Sequence, residues 1–206
     1  MAGPRDVDES KRATLRRFAA LGAAAPFAGG VAAGEEAESD DSEARSAISG
    51  YLATTPGAHF SKVRDDLQLG TGETQHHLRE LLDAGRIESR RDGDYRRYFP
   101  ADRFSEFEQV ALGYLRRETP RGMLVELLRD PAATGGDIAD AVGVSRPTVS
   151  KYAGELETAG LLSREDGYAV REPETVLTLI VRYADSFDGD AEALAGEADE
   201  LIRFDP

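Results

Sequence analysis

The sequence predicts a mainly α-helical chain with small β-hairpins, built as two similar units followed by C-terminal helices. Three observations lead there. Asp137–Gly160 reads as two helices joined by a tight turn, and Ser42–Pro100 carries the same pattern. The two stretches also align without a gap: Pro56 with Pro131, Leu52 with Leu127, Val63 with Ile138, Leu81 with Leu156, and Ala84-Gly85 with Ala159-Gly160. Each pair is 75 residues apart (131 − 56 = 160 − 85 = 75). Agreement across three helices makes a duplicated unit a better reading than chance.

Residues 1–41 are a basic, Ala-rich segment followed by an acidic linker, the linker carrying no apolar residue larger than Ala. Lys11-Arg12 and Arg16-Arg17 precede an Ala/Gly run from Phe18 that ends on Val31-Ala32-Ala33. A charged start, a short apolar middle and a small-residue end resemble a twin-arginine export signal. Two departures stand against it: no Phe follows an Arg pair at the second position, and Pro26 interrupts the middle. The other reading is a basic, partly helical arm that stays disordered or touches DNA. Gly34–Glu43 (GEEAESDDSE) is a solvated linker by composition.

The first unit covers 42–101. Ala47, Ile48, Tyr51 and Leu52 line one side of a helix that stops at Thr55-Pro56-Gly57. Phe60, Val63 and Leu67 line a second helix, Leu69-Gly70 makes the turn, and Gly72–Ala84 is a third, buried through Leu78, Leu81 and Leu82. Ile87–Ser89 and Tyr95–Phe99 read as strands around Asp92-Gly93, a strong hairpin-turn pair. This hairpin carries Arg86, Arg90, Arg91, Arg96 and Arg97 among Tyr95 and Tyr98.

Residues 102–118 form a connecting helix, with Phe104, Phe107, Ala111 and Tyr114 at three- and four-residue steps. The second unit, 119–172, opens on a helix with Met123, Leu124, Leu127 and Leu128 inward. Ile138, Ala139 and Val142 line the next helix, and Gly143 ends it because a residue without Cβ enters the left-handed region cheaply. Ser145 is a good N-cap and Pro147 suits a first turn. Val149, Ala153, Leu156 and Ala159 face inward, which leaves Ser145, Arg146, Thr148, Ser150 and Lys151 on the outer face. Short donors flanked by cations suit a helix whose first turn enters a major groove. The hairpin after it, Leu161–Arg171, is shorter and carries Arg164 and Arg171 against Glu165 and Asp166. The fold class is therefore two tandem winged helix-turn-helix domains plus C-terminal helices. Those helices, in 173–206, present Val176, Leu177, Ile180, Val181, Ala184 and Phe187, then Ala191, Leu194, Ala198 and Leu201, as apolar stripes. They serve either dimerisation or packing on their own domain.

Composition bounds the chemistry. There are no cysteines, which excludes disulfides, thiolate metal sites and cysteine nucleophiles. Net charge is −14, which argues against a general polyanion binder. Yet the basic residues are almost all arginine, with lysine only at Lys11, Lys62 and Lys151, and the balance resembles proteins of extreme halophiles. In molar salt the Debye length is about 3 Å, so global repulsion is screened and local contacts decide binding.

The motifs resemble one family, archaeal transcription regulators with winged helix-turn-helix domains. Thr55-Pro56-Gly57-Ala58-His59-Phe60, Gln75-His76-His77-Leu78, Ala84-Gly85-Arg86-Ile87 and Gly93-x-Tyr95-x-Arg97-Tyr98-Phe99 are similar to its first unit. Gly136-Asp137-Ile138-Ala139, Val144-Ser145-Arg146-x-Thr148-Val149-Ser150 and Ala159-Gly160-Leu161 are similar to its second. The resemblance implies double-stranded DNA binding, a dimer and control of transcription; the apolar C-terminal helices are the expected homodimer surface, and the cytoplasm is the expected location of a DNA reader. By position it places Thr71, Glu73, Thr74, Gln75 and His76 at the groove-facing end of the first reader. Ser145, Arg146, Thr148, Ser150 and Lys151 fall at that of the second. Arg90, Arg91, Arg96 and Arg97 are the candidate phosphate contacts of the first wing. Glu73 repels phosphate and sits oddly in that set.

No catalytic residue, metal site, cofactor or small-molecule substrate is evident. The histidines are His59, His76 and His77, and adjacent residues on a helix diverge by about 100°, so His76 and His77 are not expected to chelate one ion. Two rival functions remain open: a winged-helix protein-interaction module, and an exported or membrane-tethered protein using the N-terminal segment.

Overall fold

Helices α4 (Thr71–Asp83) and α8 (Arg146–Thr158) both run for 13 residues and begin 75 positions apart (146 − 71 = 75). Each is the second helix of a helix-turn-helix, and each is followed by an antiparallel hairpin. The computed structural model describes residues 4–23 and 36–201, which fall into two units, Met1–Phe104 and Ser105–Pro206.

The first unit contains α1 (Pro4–Ala23), α2 (Glu36–Thr54), β1 (Ala58–His59), α3 (Phe60–Asp66), α4, β2 (Ile87–Asp92) and β3 (Tyr95–Pro100). Its core is continuous: Ala47, Ile48, Tyr51 and Leu52 of α2 meet Val63 and Leu67, then Leu78 and Leu81 of α4, then Ile87 and Tyr98 of the hairpin. Full burial of each Leu or Ile stabilises by roughly 1.5–3 kcal/mol relative to exposure, so three helices and a ribbon share one apolar seat. Gly93, at φ 59°, makes the β2–β3 turn in a conformation that favours glycine. The sheet has a third strand that the sequence did not announce: β1 pairs with β3, Ala58 opposite Tyr98 and His59 opposite Arg97, in the order β1-β3-β2.

Residues Pro4–Ala23, for which a disordered arm or a targeting signal was left open, form a helix lodged on α2. Leu15 is buried in the core of the unit, and the Phe18 ring meets Tyr51 edge-on at 5.3 Å. The Val31-Ala32-Ala33 end of the signal-like pattern and Gly34-Glu35 of the linker lie outside the described residues. Among the described residues, no helix is long and apolar enough to cross a membrane.

The second unit contains α5 (Glu106–Leu115), α6 (Glu118–Arg129), α7 (Gly135–Val142), α8, β4 (Leu162–Ser163), β5 (Ala169–Val170), α9 (Pro173–Tyr183), a 3₁₀ turn (Ala184–Ser186) and α10 (Gly189–Leu201). Capping boxes start α5 at Ser105 with Glu108 and α7 at Thr134 with Asp137. Gly143 stops α7 at φ 72°, its N–H bonded to the Ala139 carbonyl. Met123, Leu124, Leu127, Ile138, Val149, Ala153, Leu156 and Leu161 form the buried interior. The C-terminal stripe is occupied at home: Ala191, Leu194 and Ala198 are buried, α10 packs on α6 and α9, and Arg129 donates to Glu197 at 2.8 Å.

Candidate nucleic-acid interface

In the second unit, inward Val149, Ala153 and Leu156 fix the rotation of α8, and the opposite face is turned out as the periodicity predicts. Ser145, Arg146, Ser150 and Lys151 are exposed, and Thr148 is half-buried. The two hydroxyls of the first turn are tied together. Ser145 Oγ accepts from the Thr148 N–H at 3.3 Å and lies 2.8 Å from Thr148 Oγ1. Their lone pairs and rotatable hydrogens still face outward at the positive end of the helix dipole, a setting suited to a phosphate oxygen or a base edge.

Arg146 is positioned by an absence. A Cβ at Gly136 would come within 2.8 Å of Arg146 Nη2, the far end of an exposed side chain, so the guanidinium lies over a glycine and would shift if a larger residue stood there. That guanidinium also helps to hold the Asp137 carboxyl below the ordinary carboxylate range, after the larger contribution of the Thr134 hydroxyl and N–H. Lys151 reaches Glu155 at 3.8 Å across one helical turn, both on the surface. An exposed pair of this kind is worth at most about 1 kcal/mol, so the ammonium can exchange its partner for a phosphate.

The first unit differs in detail. Thr71, Gln75 and His76 are exposed on α4, but Thr74 is wholly buried, its hydroxyl bonded to the Gly70 carbonyl at 2.9 Å. Its assignment to a groove contact is therefore corrected. The repeat held the signal: Thr74 corresponds to Val149 (149 − 74 = 75), an inward position. Glu73 is answered from within the chain. It accepts from Lys11 Nζ at 3.0 Å and from the Gly70 N–H at 3.0 Å. Burial pushes its carboxyl up, but these bonds outweigh burial and hold it below the ordinary range. Lys11 and Gly136 are the two site residues that sequence reading missed. Lys11 lies in a segment with no visible link to α4, and Gly136 is legible only once Arg146 is given a direction.

The arginines of the first wing separate by face. Arg91 and Arg96 are cross-strand partners and both exposed; Arg96 also donates to Ser89 Oγ at 2.9 Å. Arg90 and Arg97 are partners on the other face, where Arg90 is half-buried and Arg97 is 3% exposed. Arg97 is ion-paired with Asp92 and donates to the Gly57 carbonyl at 3.0 Å. A guanidinium so enclosed cannot hold phosphate, so Arg97 leaves the DNA-contact set and becomes a strut between ribbon and core.

Of the three histidines, His59 takes the capping role its place at a helix start suggests, and only the pair His76 and His77 departs from expectation. His59 caps α3, its Nδ1 accepting from the Lys62 N–H at 3.2 Å, and stacks on Tyr95 at 4.9 Å. His76 and His77 converge despite their angular separation, because Glu80 lies one turn further on, between their directions. Glu80 Oε1 is 3.5 Å from His76 Nε2, and Glu80 Oε2 is 3.4 Å from His77 Nδ1.

Comparison with known proteins follows the same division of the chain. A family model described as an N-terminal HTH domain matches residues 42–112, and one described as the MarR family matches residues 121–171. An uncharacterized HTH-type transcriptional regulator of Methanocaldococcus jannaschii is 30% identical over 126 residues, 61% of this chain and 32% of that protein. The chain thus aligns with about a third of the length of the curated relative it matches. No solved structure matches it.

Proposed function

We propose that the chain is a non-enzymatic transcription regulator that binds double-stranded DNA sequence-specifically through two tandem winged helix-turn-helix domains. The observation that carries this is the outer face of α8. A chain of net charge −14 turns Arg146, Lys151, Ser145 and Ser150 to solvent along one helix start, with the half-buried Thr148 beside them. Helix α8 reads base edges, α4 adds Thr71, Gln75 and His76, and Arg91 and Arg96 of the first wing hold backbone. The similarity of both regions to HTH-type models supports the reading. The acidic surface fits a halophilic cytoplasm, where screening leaves these local cations in control. A homodimer through the C-terminal helices would use the outer side of α9, where Val181 is 40% exposed, since the stripe of α10 is already covered.

The test is selection from random genomic duplex DNA in high-salt buffer, followed by sequencing of what is retained. Enrichment of one motif is the expected result, an inverted repeat if the protein is a dimer. A folded protein that enriches nothing would overturn the reading in favour of a protein-docking module.

A further inference from the structure

We propose that His76, His77 and Glu80 of α4 form a site for one divalent transition-metal ion of the zinc class. The ligand atoms of the three residues all lie within 4.8 Å of one another, and theirs is the one such group among the described residues. His76 Nε2 lies 3.5 Å from Glu80 Oε1 and His77 Nδ1 lies 3.4 Å from Glu80 Oε2, spacings that serve as polar contacts within the chain and that an ion could take over with small shifts. A tetrahedral ion with bonds of about 2.0–2.2 Å sets its ligand atoms about 3.3–3.5 Å apart. Glu80 reaches His76 at i,i+4 and His77 at i,i+3, so one carboxylate bridges two rings that diverge at their Cα atoms.

The rest of the surroundings orient this set. The His77 side chain is 2% exposed, which fixes the ring, and its Nε2 faces Asp41 Oδ1 at 3.8 Å. At 3.8 Å this is not a hydrogen bond, but a small inward shift of the Asp41 carboxylate would give the second ring nitrogen the usual support of a metal-bound imidazole. Arg45 Nη1 donates to Glu80 Oε2 at 2.9 Å, so Oε1 is the oxygen better placed to ligate. His76 is 58% exposed and supplies the entry side. Three protein ligands leave a fourth position for water or for a group brought by a partner. Arg45 opposes a second positive charge nearby, so micromolar rather than nanomolar affinity is expected.

The composition makes the test clean. With no cysteine and His59 committed to capping α3, tight binding of a borderline metal has no competing imidazole or thiolate cluster among the described residues. The full-length, untagged chain is titrated with Zn²⁺ by calorimetry and with Co²⁺ by visible absorption, in the absence of DNA. One equivalent is expected, with the visible bands of low-symmetry Co²⁺. His76→Ala, at a surface position, and Glu80→Gln should each weaken binding at least tenfold with helicity unchanged, whereas His59→Asn should leave it as it was. Absence of a stoichiometric site, or the same affinity in His76→Ala, would overturn the inference. Because DNA is left out, failure here says nothing against the DNA-binding reading, and failure of that reading leaves the metal site standing.

Discussion

Arg97 donates to the carbonyl of Gly57, 40 residues earlier, at 3.0 Å. The bond joins the middle of the wing to the turn that closes α2, and the Asp92 carboxylate completes the enclosure. Removing the guanidinium leaves a buried carbonyl without this donor and takes one ion-pair partner from a mostly covered carboxylate. Arg97→Ala should cost about 2–4 kcal/mol, measured by denaturant unfolding. Stability equal to the parent protein would refute the strut role.

Arg91 and Arg96 should behave in the opposite way. Their removal should change stability by no more than about 0.5 kcal/mol. Affinity should fall for every duplex alike, and the slope of log affinity against log salt should lessen by about 0.9 for each lost phosphate contact. A loss confined to one sequence would mean that the wing reads bases instead.

Lys11 and Glu73 form a charge pair at the start of α4. Lys11→Ala should weaken DNA binding several-fold by uncovering the carboxylate, and adding Glu73→Gln should restore most of it. The double-mutant cycle gives the sign directly. Equal losses in the single and double variants would show that Lys11 acts on DNA itself.

Gly136→Ala tests the seat of Arg146. The new Cβ would lie 2.8 Å from Nη2, so the guanidinium must swing away. DNA affinity should drop by a few-fold, less than in Arg146→Ala, with little change in melting temperature. Unchanged affinity would mean that Arg146 reaches DNA from another rotamer.

His59 gives a pH dependence. Burial first, then the charges of Arg97 and Lys62, lower its pKa from the ordinary 6.5. The neutral ring is also the one that can accept the Lys62 N–H. The unfolded chain therefore binds the proton first, so the folded state pays no penalty above about pH 6.5 and a growing one as pH falls through the folded value. Between pH 7.5 and 5.5 the parent protein should lose more stability than His59→Asn, which keeps an N-cap acceptor but does not titrate. Identical losses would exclude His59 as the source.

Much of this was legible in the sequence. The inward positions Leu78, Leu81, Val149 and Leu156 followed from helical spacing, and the 75-residue interval placed α4 and α8 on one frame. What escaped depends on pairing between distant segments. Nothing local tells that Ala58–His59 is a strand against β3, and that pairing turns Arg97 from a surface cation into a buried one. The partner of Glu73 lies 62 residues away, beyond any periodic pattern. Thr74 was a different kind of miss, since a small polar residue at an inward position reads as surface until its counterpart, Val149, is consulted.

The reach of residue 11 to residue 73 also bears on where a reading module begins. A fragment cut at residue 42, where similarity to the N-terminal HTH model starts, would keep every element from β1 to β3. It would nonetheless lose the Lys11 partner of the Glu73 carboxylate at the start of α4 and uncover the edge of Tyr51. The portable unit is longer than the recognisable one: a clipped protein would present the start of α4 with a different charge and no change in α4 itself.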